Sequence, residues 1–205
     1  MKNGPRAKPL KRASRGFPSG PLHGSVVLNF RRAPASDFGP YAGAFHRAGL
    51  TLLAKLRRSR GYRDTDACPI VVALRMSLEL FMKGVIVSGE RLLWLSGKSL
   101  PIDRDILKEH RLTPLVPALA AVFSEAGWEW SLDVRNFESP LSLTRYLTSL
   151  EAVDPLSFSF RYPTNKKGEG SLPHHFSFNV LAFADEIEPV LRILDGAITG
   201  LKSAA

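Results

Sequence analysis

The sequence of 205 residues contains one cysteine, no long apolar run and no acidic residue before Asp37. Because Cys68 is alone, an intramolecular disulfide is impossible and a cysteine-based zinc site is disfavoured, as in a reducing compartment. No stretch of about 18 apolar residues occurs, so we expect no transmembrane helix. The N-terminus also lacks the apolar stretch of a secretory signal. We therefore predict a cytoplasmic protein without membrane contact.

The positive charge is concentrated at the N-terminus. The chain carries 28 lysines and arginines against 19 acidic residues, a formal net charge of +9. Residues 1–36 hold a charge of +8, which leaves +1 for residues 37–205. Glycine and proline interrupt the basic segment, a pattern typical of a disordered or extended arm that attracts nucleic acid without specificity. We predict a basic arm over 1–36 and a folded domain over 37–205.

Apolar periodicity and capping residues predict helices beyond a short β-like run at 25–30. Asp37 is expected to cap a helix that ends near Arg58. Asp66 is expected to cap a second helix, over about 68–88, which Gly89 ends. A helical turn is predicted within 102–109.

Three further helices follow from the same signals. We expect their caps at Thr113, Ser139 and Ser177, and a kink in the last helix at Pro189. Gly127 and Asp154 are expected to end the third and fourth helices. The predicted fold class is all-α, an up-and-down bundle of about five main helices.

Two segments contain residues typical of cofactor or metal sites. Residues 97–99 read Gly-Lys-Ser, the ending of a phosphate-binding loop, but position 92 is leucine where that loop needs glycine. His174 and His175 are adjacent, and adjacent side chains rarely converge on one metal ion. We predict no cofactor and no metal.

A polar stripe runs along the second predicted helix. Arg75, Glu79 and Lys83 stand at i, i+4 and i+8, so successive side chains are within ion-pair distance. One interpretation is a solvated face with two exposed ion pairs. The other is a central helix that turns its charges to a groove, a partner subunit or buried counter-charges, since much of the remaining helix is apolar.

Three segments resemble HEPN domains in order and approximate spacing, over about residues 38–200. Residues 73–84 resemble the second helix of that family with its Glu–Leu–x–x–Lys core. Residues 110–115 resemble its His–x–Leu–x–x–Leu segment, and residues 159–163 its Arg–Tyr–Pro element. The resemblance implies a helical bundle that often dimerises.

Many HEPN proteins are metal-independent ribonucleases of toxin, defence and RNA-processing systems. Their catalytic pair is an arginine followed four to six residues later by a histidine. A histidine can move the proton of the RNA 2′-hydroxyl, and an arginine can hold the phosphate and stabilise its developing charge.

The chain departs from that pattern. Arg161 is followed at the required distances by residues 165–167, none of which is histidine. His174 and His175 come 13 and 14 residues later and could approach Arg161 only if the intervening loop folds back. Arg104 and His110 have suitable spacing, but they precede the third helix, where the resemblance gives His110 a structural role.

We therefore predict a HEPN-like binding or regulatory module of RNA metabolism or defence. Its expected partners are a second copy, RNA, and a cognate antitoxin or regulatory protein. Its groove would be lined by Arg75, Glu79, Lys83, Arg104 and His110, together with Arg161. One alternative is an active metal-independent endoribonuclease that uses Arg161 with His174 or His175, or Arg104 with His110. Another alternative is an adaptor that binds only protein.

Overall fold

The structure, a computed structural model, describes residues 37–100, 104–130 and 134–205. Within these ranges the chain forms five α-helices and no β-strand, and one isolated antiparallel bridge joins Thr164 to Gly170. The all-α fold class is confirmed. The β-like run predicted at 25–30 and the basic arm over 1–36 lie outside the described residues.

Helix α1 spans Phe38–Arg58, as predicted. The side chain of Asp37 accepts a hydrogen bond from the N–H of Gly39 at 3.3 Å, which satisfies one of the donors that a helix start leaves free. The last turn contains Lys55, Arg57 and Arg58, whose charges face the negative end of the helix dipole. Local signals in the sequence therefore account for both ends of α1.

Helix α2 spans Ala67–Leu95 and is longer than predicted. Gly89 does not end it but lies where α2 contacts α3 (Val116–Glu125). A Cβ on Gly89 would lie 2.7 Å from Cγ2 of Val122, well inside van der Waals contact. Gly89 is therefore a packing residue, and the prediction that it ends the helix was wrong.

The connection between α2 and α3 contains two 3-10 turns, Arg104–Lys108 and Thr113–Leu115. The first lies within the helical turn predicted for 102–109. Thr113 was expected to cap the third helix, but neither the second turn nor α3 has a side-chain hydrogen bond at its start. Gly127 follows α3 with a φ of 69°, in the left-handed region that favours glycine after a helix.

Helix α4 spans Pro140–Val153 and begins and ends as predicted. The side chain of Ser139 accepts a hydrogen bond from the N–H of Ser142 at 3.1 Å, and Pro140 occupies the first position, where no donor is needed. Asp154 is the C-terminal cap residue.

Helix α5 spans Val180–Ala204 and begins later than predicted. Asn179, and not Ser177, is the cap: its Oδ1 accepts hydrogen bonds from the N–H groups of Leu181 and Ala182. Asparagine and serine are comparable caps, so the sequence alone does not choose between them. Pro189 lies inside α5, and the helix continues through it.

Helix α2 is the central element: it packs against α1, α3 and α5, and 17 of its 29 residues are buried. It runs antiparallel to α1, because Ser77 Oγ donates to the carbonyl of Ala42 whereas Leu74 meets Gly49, further along α1. His110, which precedes α3, contacts Arg75, and Val122, near the end of α3, contacts Gly89, so α3 runs in the same direction as α2.

Helix α5 runs antiparallel to α1. Lys202 Nζ lies 2.8 Å from Asp37 Oδ1, and at the opposite end Arg57 Nη2 lies 2.5 Å from Asp185 Oδ1. A continuous apolar core fills the space between the helices, centred on side chains such as Leu74, Leu78, Phe81, Leu119, Leu147, Leu191 and Leu194. None of the described helices is both long enough and apolar enough to cross a bilayer.

The close contact at Gly89 predicts opposite effects for two glycine substitutions. Gly89→Ala should lower the free energy of unfolding by about 1–3 kcal/mol, because Val122 must shift. Gly196→Ala on α5 is the control: no atom lies within 4 Å of the added Cβ, so a gain of about 0.5–1 kcal/mol from helix propensity is expected. Urea unfolding curves measure both; equal changes would contradict the packing role.

Candidate functional site

The charged stripe of α2 lies in the interior of the bundle. Arg75, Glu79 and Lys83 are 2%, 2% and 3% exposed. The interpretation as a solvated face is therefore wrong, and the three side chains do not line an open groove. Of the three, only Arg75 is among the residues that line a cavity of about 360 Å³ between α2, α4 and α5.

Buried counter-charges surround the stripe. Lys83 Nζ donates a hydrogen bond to Glu79 Oε1 at 2.8 Å, and Arg75 Nη1 lies 3.6 Å from Glu79 Oε2. On its other side, Arg75 Nε lies 3.4 Å from Oδ2 of Asp154, at the end of α4. We call these four residues the buried charge network; its two cations and two anions balance.

Asp154 was expected only to end α4, and its place in the network was missed. Its Oδ1 accepts hydrogen bonds from the N–H groups of Phe158 and Ser159 at 2.6 and 2.8 Å. A signal was present in the sequence: Glu151 and Asp154 put two carboxylates at the negative end of a helix dipole, where acids need partners.

Burial lowers the pKa of Arg75, and the charges of Asp154, Glu79 and Glu151 offset part of that effect. The positive charge of Arg161 lowers the same pKa further. An arginine keeps its proton at any working pH, so Arg75 is a permanent cation that depends on its buried anions.

His110 connects the network to solvent. Its carbonyl accepts a hydrogen bond from Arg75 Nη2 at 3.1 Å, and its Nδ1 lies 3.1 Å from Glu79 Oε1. The side chain is nevertheless 66% exposed. The structure therefore brings His110 together with Arg75, Glu79 and Lys83, while the imidazole remains accessible.

Glu151, which the sequence did not single out, organises the segment after His110. Its Oε1 accepts hydrogen bonds from the N–H groups of Leu112 and Thr113, and its Oε2 accepts one from the Thr113 hydroxyl at 2.5 Å. This is why Thr113 does not cap a helix. Burial alone would raise the pKa of Glu151, but these bonds and Arg111 outweigh it and hold the pKa below its ordinary value.

Arg161 lies on the loop after α4 and is bound to that loop. Its Nε donates to the carbonyl of Ser157, and its Nη2 to the carbonyl of Leu156 at 3.3 Å. Ser157 has a φ of 56°, so the loop turns sharply there. Arg161 as a whole is nevertheless exposed.

The loop between Arg161 and the two histidines does fold back. Ser171 donates its N–H to the carbonyl of Pro163 at 3.0 Å, next to the Thr164–Gly170 bridge. His174 and His175 contact each other, with ring centroids 4.1 Å apart. Among the described residues, however, neither histidine forms a hydrogen bond or ion pair with Arg161.

Of the other predicted pair, Arg104 and His110, the structure describes only the histidine side chain. Arg104 begins a 3-10 turn, but its side chain lies outside the described residues. In the same described ranges, no three potential ligands among histidine, cysteine, aspartate and glutamate come together as a metal site.

No family model, curated protein or solved structure matches the chain. The resemblance to HEPN domains therefore stands on the residues of the chain itself and remains a prediction.

The hydrogen bonds to Glu151 predict an acid-dependent contribution to stability. Glu151→Gln should lower the free energy of unfolding at pH 7 by about 1–3 kcal/mol. Because folding lowers this pKa, the wild-type advantage is full above the unfolded pKa of about 4.3 and is lost as the pH falls through the folded value. Denaturant unfolding at several pH values measures the difference.

Glu125→Gln is the matched control, since Glu125 is exposed and pairs with Lys98 at 3.3 Å. It should change stability by no more than about 0.5 kcal/mol at any pH. A loss in the control equal to that of Glu151→Gln would show that the buried contacts are not the cause.

Proposed function

We propose that this chain is a HEPN-like binding module of RNA metabolism or defence, acting as a homodimer in the cytoplasm with RNA and a regulatory protein, such as an antitoxin, as partners. The observation that carries the proposal is the exposed His110, held by the buried charge network beside exposed Lys108 and Arg111. We call these three residues the basic surface.

The basic surface combines charge with a fixed backbone. The N–H groups of His110 and Arg111 both donate to Glu109 Oε1, at 3.0 and 2.9 Å. Arg75 holds the carbonyl of His110 from the interior. Lys108 and Arg111 pair with Asp105 and Glu151, but their side chains are 81% and 54% exposed. Exposed pairs of this kind are weak, so both cations can turn to the phosphates of RNA, which dominate its electrostatic affinity. The buried side chains of Arg75, Glu79 and Lys83 would support this surface without contacting RNA.

Catalysis by Arg161 is the second candidate function. It is favoured by the loop that folds back between Arg161 and His174. It is opposed by the guanidinium, which is already hydrogen-bonded to the carbonyls of Leu156 and Ser157. We therefore place binding ahead of catalysis.

The homodimer is supported by an apolar stripe on α1. Tyr41, Phe45 and Leu52 are all exposed, and their spacing puts them on one face of the helix. Exposed apolar side chains grouped in this way are typical of interaction surfaces. A second copy of α1 would cover them.

Substitution of the basic surface tests RNA binding. Lys108→Gln with Arg111→Gln should weaken binding of a single-stranded RNA about tenfold or more at low salt, and should reduce the slope of log affinity against log salt by about 1.4. Fluorescence anisotropy in the presence of a chelator gives both values. The control, Arg91→Gln with Lys98→Gln, removes one arginine and one lysine charge from the last turns of α2 and the segment after it, and should have little effect.

Two results would contradict the proposed function. Equal loss of binding in both double variants would mean that net charge, not the basic surface, attracts RNA. Cleavage of RNA in chelator that Arg161→Ala abolishes would establish the ribonuclease instead.

The α1 stripe predicts the oligomeric state. The wild type should be a dimer at about 50 µM in light scattering, and Phe45→Glu with Leu52→Glu should weaken it at least about tenfold, because charges would be buried in the interface. Leu141→Glu on α4, a more exposed leucine outside the stripe, should leave the dimer intact. A monomeric wild type at that concentration would refute the dimer.

A further inference from the structure

The charge of the folded domain is unevenly distributed along the chain. Residues 37–205 carry a net charge of only +1, but residues 38–63 contain six basic residues and no acidic one. Residues 64–205 contain 14 basic and 18 acidic residues, a net charge of −4. The first helix and the turn that follows it are therefore strongly basic, while the rest of the domain is acidic.

Five of the six basic residues lie between positions 55 and 63, and four of these have no acidic partner. Arg57 pairs with Asp185. Within the described residues, no ion pair engages the side chains of the other four, which are Lys55, Arg58, Arg60 and Arg63. All four are exposed, and so is Tyr62, at 59%. We call Lys55, Arg58, Arg60, Tyr62 and Arg63 the arginine corner.

The helix dipole accounts for only part of this charge. The negative end of α1 stabilises the basic side chains of its last turn, Lys55, Arg57 and Arg58. The effect is confined to that turn, so it does not account for Arg60 and Arg63, which follow the helix. Residues 1–36 are themselves basic and cannot supply the missing negative charge. The unpaired cations therefore favour an anionic partner outside the chain.

Hydrogen bonds hold the backbone of the arginine corner in place. The hydroxyl of Ser59 donates to the carbonyl of Gly61, and the N–H of Arg63 donates to Asp66 Oδ2 at 2.9 Å. The three arginines of the corner lie within five residues of one another, at most about 18 Å of chain. A strand of a few nucleotides covers that length and presents several phosphates to it.

An open depression of about 560 Å³ lies beside the arginine corner. It is lined by Thr51, Ala54, Lys55, Arg58 and Ser59. Its lining contains two cations and no carboxylate, so a phosphate group would lie there without electrostatic repulsion. Lysine and arginine side chains are the usual phosphate contacts of nucleic-acid-binding proteins.

The side chains of the corner favour a nucleic acid over an acidic protein or a membrane. Guanidinium groups form paired hydrogen bonds with phosphate oxygens. Tyr62 adds an exposed ring on which a base can stack, and an acidic peptide would leave that ring unused. Membrane binding needs a broad apolar face, whereas Tyr62 is the only exposed large apolar side chain within residues 55–63, all of which the structure describes.

We propose that the arginine corner binds single-stranded RNA. Its arginines pair with the phosphates, and an unpaired base stacks on Tyr62; bases within a duplex are already stacked on one another and are not available to the ring. The inference rests on the proposed function for RNA as the partner. It adds a second contact, which shares no residue with the basic surface, and the form in which RNA binds.

Removal of charge tests the phosphate contacts. Arg58→Gln with Arg60→Gln and Arg63→Gln should weaken binding of a labelled oligouridine of about 12 nucleotides to the full chain at least about tenfold at low salt, and should reduce the slope of log affinity against log salt by about 2. Fluorescence anisotropy measures both. The matched control, Arg145→Gln with Lys166→Gln and Lys167→Gln, removes three exposed charges elsewhere and should have little effect.

Removal of the ring tests base stacking. Tyr62→Ala should weaken oligouridine binding at least about fivefold, and it should leave the affinity for an RNA duplex of the same length unchanged. Tyr62→Phe keeps the ring and should bind as the wild type does. Tyr162→Ala is the control, because Tyr162 is also exposed, at 51%, but lies on the loop after α4.

Four outcomes would overturn the inference. If the two triple variants bind alike, net charge alone attracts RNA. If Tyr62→Ala leaves oligouridine binding unchanged, or weakens the duplex equally, no base stacks on the ring. Loss of the dimer in the arginine triple variant, with RNA affinity unchanged, would assign the corner to a second copy. Loss of binding to phosphatidylserine vesicles, again with RNA affinity unchanged, would assign it to a membrane.

Lys108→Gln with Arg111→Gln, measured in parallel, separates this inference from the proposed function. If that double variant alone loses affinity, the basic surface binds RNA and the arginine corner does not. If the arginine triple variant alone loses affinity, the corner is the contact and the basic surface is refuted. A wild type that does not bind the oligouridine at low salt refutes both.

Discussion

Arg75 carries its positive charge into the interior of the bundle, and the carboxylates of Asp154 and Glu79 have to lie beside it. Removing an ion from water costs several kcal/mol, and only well-placed partners compensate for that cost. Because Asp154 also accepts two backbone N–H groups of the next loop, its pairing with Arg75 fixes the end of α4 and residues 158–159 together. The charge of Arg75 on α2 thereby helps to position the loop after α4, which is distant in sequence.

The same side chain lies behind the basic surface. Arg75 Nη2 holds the carbonyl of His110, at the basic surface, while its Nε lies 3.4 Å from Asp154 Oδ2. Arg75 itself is inaccessible to a large partner such as RNA. It acts as a positioning residue for His110, and the exposed side chains make the contacts.

Local signals in the sequence were sufficient for much of the fold. Asp37 and Ser139 cap helices where expected, because a cap needs only neighbouring residues. The prediction for Gly89 was wrong because a glycine that ends a helix and a glycine that allows close packing of another helix cannot be told apart in the sequence. Only the contact with Val122 of α3 distinguishes them. The charge balance around α2 was equally hidden: Asp154 is 79 residues from Arg75, and no periodicity connects them. Long-range pairing depends on tertiary packing, which one sequence does not encode in its spacing.

The length of α2 has a further consequence. At 1.5 Å per residue, its 29 residues extend for about 44 Å. One continuous helix therefore packs against α1, α3 and α5. A polypeptide cut in the 96–115 connection would leave the first fragment with α2 and no α3 or α5 to cover it. Neither fragment would contain all the residues of the apolar core, and the two could form the fold only by reassociating. The domain is therefore indivisible, and it should gain or lose its structure as a single cooperative unit.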